Sequence, residues 1–83
     1  MAEFARLDTL DRIVKLIVQE LKVDHERVNE TVTFAELGAD SLDMVQIIMK
    51  LEETFGIEIN DQDAERMTTL RDVVDYVQER RTI

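Results

Sequence analysis

Ser41 is the side chain in this sequence best placed to take part in chemistry. It lies in the segment LGADSLD at positions 37–43, where a long polar segment gives way to a predicted helix. A hydrolytic role is disfavoured, because the only imidazole, His25, lies in the preceding loop and the pattern differs from the G-x-S-x-G nucleophile elbow. The free N–H groups and positive dipole of a helix N-terminus favour a phosphate group. Ser41 therefore suits the attachment of a phosphodiester, and a purely structural N-cap role is the alternative.

The composition excludes several other kinds of site. The sequence has no cysteine and one histidine, which excludes a disulfide scaffold, thiolate and multi-histidine metal sites, and a cysteine nucleophile. The acidic run 60–63 lacks the glycine and the twelfth-position Glu of an EF-hand loop, so we expect no metal site. Ten Lys and Arg against nineteen Asp and Glu give a net charge of −9, which is too acidic for a nucleic-acid-binding protein.

Length and apolar content indicate one small helical domain. A chain of 83 residues has room for a single core, and its 45% hydrophobic and 35% charged residues are an ordinary globular balance. Zero Pro and two Gly argue against a β-sandwich or barrel. No apolar run is long enough for a membrane span or a signal peptide. We therefore expect a monomeric, cytoplasmic protein without membrane insertion.

Apolar periodicity predicts three main helices, and a capping-box spacing predicts one short helix. The first begins near Thr9 with Asp8 as its N-cap, and the residues before Asp8 either fray or extend it. The predicted spans are 9–22, 41–55 with Asp40 or Ser41 as N-cap, 61–66 with Asn60 as N-cap, and a last helix that Thr69 caps. The expected fold class is thus all-α, a small four-helix bundle with a long loop between helices 1 and 2. A loop of that length in so small a domain is uncommon unless it is functional.

The second helix carries two apolar stripes, although a helix facing one core needs only one. The core-facing stripe comprises Met44, Ile47, Ile48, Leu51 and Phe55. The second stripe, centred about 140° away, comprises Leu42, Val45 and Met49. Two interpretations are open. The second stripe either packs against the short third helix, or is exposed and docks a partner whose apolar groove is bordered by Arg and Lys.

The segment at 37–43 resembles the attachment motif of acyl carrier proteins, in which D-S-L follows L-G. The similarity continues to Tyr76 and covers about residues 8–80, so residues 1–83 are expected to form a single acyl-carrier domain. The resemblance implies that Ser41 carries a covalent 4′-phosphopantetheine arm, which a holo-synthase (phosphopantetheinyl transferase) installs from coenzyme A. The arm's thiol would hold growing acyl chains as thioesters. The chain would then be a covalent cosubstrate for enzymes and not itself an enzyme.

The resemblance also implies a recognition face for fatty-acid synthesis enzymes with basic patches. This face would consist of the second stripe and its acidic neighbours: Asp40, Leu42, Asp43, Val45, Met49, Glu52 and Glu53.

An acyl-chain cleft between the second and third helices is a further expectation. It would be lined by apolar residues from several elements: Phe34, Ile47, Ile48, Leu51, Ile59, Ala64, Met67 and Tyr76. A permanent cavity would lower the stability of so small a bundle by about 24 cal/mol per Å³ of cavity volume. We therefore expect the cleft to open when an attached chain enters.

Three functions are compatible with these features. The first is the acyl carrier of type II fatty-acid synthesis, which the length, the acidity and the GADSLD string favour. The second is a carrier for a specialised pathway of the polyketide, aminoacyl or lipid-A type. The third is an acidic structural adaptor subunit of a larger complex.

Overall fold

The computed structural model describes residues 4–83, which form four α-helices and one short 3-10 helix. In chain order, the elements are α1 (Arg6–Leu21), the 3-10 helix (His25–Arg27), α2 (Ser41–Phe55), α3 (Asp61–Arg66) and α4 (Leu70–Arg80). Within residues 4–83 the only β-type pairing is an isolated bridge between Thr33 and Thr69. The predicted all-α bundle of three main helices and one short helix is therefore confirmed.

The ends of α2, α3 and α4 follow the predicted capping signals. Asp40, Asn60 and Thr69 each accept a hydrogen bond from the backbone amide three residues later. In α4 the hydrogen bond from the Thr69 amide lowers the pKa of Asp72, which completes the cap as a carboxylate. Gly56 ends α2 with a positive φ of 64°, a conformation that glycine adopts without strain.

The start of α1 differs from the prediction. The helix begins at Arg6 with Ala5 as its N-cap, so the assignment of Asp8 as the cap is wrong. Asp8 lies in the first turn of the helix instead. The alternative that the residues before Asp8 extend the helix is correct as far as Arg6, and Met1–Glu3 lie outside the described residues.

The loop between α1 and α2 is held by buried side chains and by pairing with the α3–α4 connection. Val28, Phe34 and Leu37 are buried in the core. A turn forms between Thr33 and Glu36, whose side chains each accept a hydrogen bond from the other's backbone amide. The 3-10 helix was not predicted. It is a single turn, too short for a periodic signal.

The core lies where α1 packs against α2 and α4. The core includes an apolar stripe of α4, and α2 contributes Ile47, Leu51 and Phe55. Met44 and Ile48, the other members of the core-facing stripe of α2, are only half-buried.

One cation, Arg81, is buried where the start of α1 meets the end of α4. Only 2% of its side chain is exposed. Its Nη1 donates to Asp8 Oδ2 at 2.9 Å and to Thr9 Oγ1 at 2.8 Å. Its guanidinium lies 4.1 Å from the Phe4 ring centroid and 5.0 Å from that of Phe55. Because α1 begins among these contacts, we infer that Arg81 stabilises its first turn in place of a side-chain cap.

We expect Arg81→Met to lower the free energy of unfolding by about 2 kcal/mol, since hydrogen bonds of a charged donor are lost. Lys15→Met removes an exposed cation of α1 and should change it by no more than about 0.5 kcal/mol. Urea unfolding of both variants tests this expectation, and equal stabilities would contradict it.

Candidate functional site

A reciprocal pair of hydrogen bonds determines where α2 begins. Asp40 Oδ1 accepts from the Asp43 amide at 2.8 Å, and Asp43 Oδ2 accepts from the Asp40 amide at 3.1 Å. This capping box makes Asp40 the N-cap residue. The interpretation of Ser41 as an N-cap is therefore wrong, since Ser41 is the first residue inside the helix.

Ser41 is exposed, and its hydroxyl makes no hydrogen bond within residues 4–83. The backbone amides of Ser41 and Leu42 likewise have no acceptor in this described part of the chain. These are orphan donors of a helix N-terminus, which can bind an oxygen of a phosphate group. His25 is exposed at the start of the 3-10 helix, beside Asn29 and Glu30 in a different depression.

A groove of about 800 Å³ begins at Ser41 and runs between α2 and α3. Four residues of α2 on one helical face, Ser41, Val45, Ile48 and Glu52, line one wall. The lining on the side of α3 includes Ile59, Ala64 and Met67. The groove is therefore apolar over much of its length and has carboxylates at its edges.

The structure brings half of the predicted cleft residues together. Ile48, Ile59, Ala64 and Met67 line the groove. The other four do not. Phe34, Ile47 and Leu51 are buried in the core, and Tyr76 lines a separate depression with Asp63 on α3. Sequence reasoning missed Met44, which lines the groove although its periodicity assigns it to the core-facing stripe.

The second stripe of α2 is exposed. The exposed fractions are 69% for Leu42, 54% for Val45 and 50% for Met49. The interpretation that this stripe is covered by α3 is therefore wrong, although Val45 and Met49 also border the groove.

The carboxylates around this stripe differ in what they contact. Those of Asp40 and Asp43 form the capping box. Glu52 Oε2 accepts a hydrogen bond from the Ile59 amide at 2.9 Å. Glu53 is exposed and makes no ion pair or hydrogen bond with residues 4–83. Of the four, Glu53 is the carboxylate with no structural role in the described chain.

A model of the protein family described as a phosphopantetheine attachment site matches residues 11–77, most of the chain. The chain belongs to this family. Members carry a covalently attached 4′-phosphopantetheine group and act as carriers without catalysing a reaction themselves. The match includes the start of α2 and the whole groove.

The residues at the start of α2 fit this group. The exposed Ser41 hydroxyl offers an ester oxygen, and the two orphan amides offer donors to the phosphate. Among residues 4–83 no helix is both long and apolar enough to cross a membrane. The same range contains no cluster of His, Asp or Glu suited to a metal ion.

Because Asp40 caps α2 and Ser41 does not, the two alanine variants should differ in stability. We expect Asp40→Ala to lower the free energy of unfolding by about 1 kcal/mol, the usual effect of removing an N-cap side chain. Ser41→Ala should change the free energy of unfolding by less than about 0.5 kcal/mol. Denaturant unfolding measures both values, and a larger loss for Ser41→Ala than for Asp40→Ala would contradict the assignment.

Proposed function

We propose that this protein carries acyl chains as thioesters on a 4′-phosphopantetheine arm attached to Ser41. The observation that supports this most directly is the Ser41 hydroxyl, which is exposed, has no capping role and opens onto an apolar groove. When bound, the group supplies a thiol at the end of a long flexible arm. The chain's own residues supply the attachment oxygen, the groove and a surface for partner enzymes.

The attachment step uses coenzyme A and a phosphopantetheinyl transferase. Ser41 Oγ forms a new bond to the phosphorus that bears the pantetheine, and the pyrophosphate bond of coenzyme A breaks. Adenosine 3′,5′-bisphosphate leaves, and a base of the transferase takes the serine proton. The two orphan amides at the start of α2 favour the negative charge of the new phosphodiester.

The lining of the groove supports a hydrocarbon cargo. Met44, Ile48, Ala64 and Met67 present apolar surface along it, and burial of an alkyl chain gains about 0.8 kcal/mol per CH₂ group. We infer that the cargo is the growing chain of fatty-acid synthesis by separate enzymes. Analysis of the acyl chains on protein purified from its own cells tests this inference, and polyketide or aminoacyl groups would contradict it.

The exposed stripe of α2 supports docking by enzymes with basic patches. Leu42, Val45 and Met49 expose apolar surface near Ser41, and Glu53 adds an unpaired carboxylate beside them. Apolar contact supplies affinity, while the charge increases the association rate and orients the partner. Such an interface suits transient binding to several enzymes.

Incubation with coenzyme A and a phosphopantetheinyl transferase should add the mass of one 4′-phosphopantetheine group. Ser41→Ala should add none, although it folds normally by circular dichroism. Intact-mass spectrometry with fragment mapping measures both outcomes. An arm on any other residue, or on the Ser41→Ala variant, would contradict the proposal.

Glu53→Lys should slow arm transfer by about 2–10-fold at low salt, because a favourable charge becomes unfavourable. The difference in transfer rate between this variant and the unmutated protein should decrease as the salt concentration rises above about 0.1 M, where the screening length is about 10 Å. Leu42→Ala should slow transfer with little salt dependence. Transfer rates measured across ionic strength distinguish the two effects.

Glu79→Lys is the matched control, because it makes the same charge change in the last turn of α4. Glu79 borders the depression shared by Tyr76 and Asp63, which is separate from the groove. Its carboxylate therefore lies outside the exposed stripe of α2 that Glu53 adjoins. Equal rates for the Glu53 and Glu79 variants would show that Glu53 is only a solvated residue.

A further inference from the structure

The short helix α3 is held in an unusual way. None of the six residues described for α3 is buried. Ile59 before the helix and Met67 after it are buried, so side-chain packing anchors the segment mainly at its two ends. Between these anchors the half-buried Ala64 is the only apolar residue of α3 that packs against the core, so polar contacts contribute to the position of the helix.

Two such contacts connect α3 and the residues just before it to the neighbouring helices. Glu52 on α2 accepts from the Ile59 amide at 2.9 Å, just before α3. On the α4 side, the Tyr76 hydroxyl donates to Asp63 Oδ2 at 2.8 Å. The first contact lies in the groove beside Ser41, whereas the second lies in the separate depression bordered by Tyr76.

The surroundings of Tyr76 favour the second contact. Its ring is half-buried, and the Arg80 guanidinium lies 3.8 Å from the ring centroid. Burial and the neighbouring Asp63 carboxylate raise the pKa of Tyr76, so the phenol keeps its proton at neutral pH and remains a donor.

We propose that the Tyr76–Asp63 hydrogen bond is a latch that positions α3 and thereby controls how readily the groove opens. Neither residue lines the groove, so both act through the segment that contributes Ile59, Ala64 and Met67 to its wall. The role in admitting a chain rests on the proposed function, whereas the effect on α3 does not. Releasing the latch raises the population of a form in which the α3 segment has moved and the groove is wider. An attached chain then binds with a higher apparent affinity.

Hydrogen exchange of the protein without its arm tests the latch directly. The amides of Ala64 and Met67 donate within this segment, to Asn60 O at 3.0 Å and to Ala64 O at 3.1 Å. We expect Tyr76→Phe, which keeps the ring under Arg80, to accelerate their exchange about tenfold. Core amides of α1 and α2 should be unaffected. No acceleration, or the same acceleration in every helix, would overturn the proposal.

Substitutions of Asp63 supply the matched controls. Asp63→Ala should accelerate exchange of the same two amides as much as Tyr76→Phe does, and the double variant should add nothing further. Asp63→Asn keeps an acceptor oxygen and should stay within about threefold of the unmutated protein. Additive effects, or an Asn variant as fast as the Ala variant, would show that the two side chains do not act as a pair.

The effect on cargo is measured after loading the arm. A protein that carries an octanoyl chain should melt at a higher temperature than the same protein with an acetyl group. This difference in melting temperature should be larger for Tyr76→Phe than for the unmutated protein. An equal or smaller rise would refute control of the groove by the latch. Failure to modify Ser41 would instead refute the proposed function and leave the exchange result on the unmodified protein standing.

Discussion

The capping box that starts α2 is the interaction on which the rest of the site depends. Asp40 and Asp43 satisfy each other's backbone amides, so the helix begins without using the intervening serine. Ser41 is left with an exposed hydroxyl and orphan amides beside it. The helical period then places Val45 and Ile48 on the same face, along the groove. One local interaction thus determines both the exposure of the Ser41 hydroxyl, which is the proposed attachment oxygen, and its alignment with the apolar surface.

Helix boundaries were predictable where their signals are local. The caps at Asp40, Asn60 and Thr69 each involve a partner three residues away, so the sequence alone contains the whole interaction. The start of α1 was not predictable in this way. Its first turn contacts Arg81, a residue more than seventy positions later, and no spacing rule indicates that contact.

The candidate site was likewise predictable where its signals are local. Periodicity separates the two stripes of α2, and the sequence positions of the acidic residues place them around the second stripe. Periodicity does not indicate that Glu52 holds the Ile59 amide, because this contact depends on how the chain turns after α2. The same limit applies to Tyr76, which was expected to line the cleft and instead binds Asp63 on the other side of α3. Contacts between elements require the packed fold.

We propose that the groove beside Ser41 shelters the cargo of the arm. The most direct measurement is the melting temperature of the protein carrying an octanoyl chain, compared with the same protein carrying an acetyl group on the same arm. Burial of the longer chain should raise the midpoint by several degrees, since about 1 kcal/mol shifts a domain of this size by roughly 4–8 °C. Identical midpoints would show that the chain stays in solvent and that the groove does not shelter it.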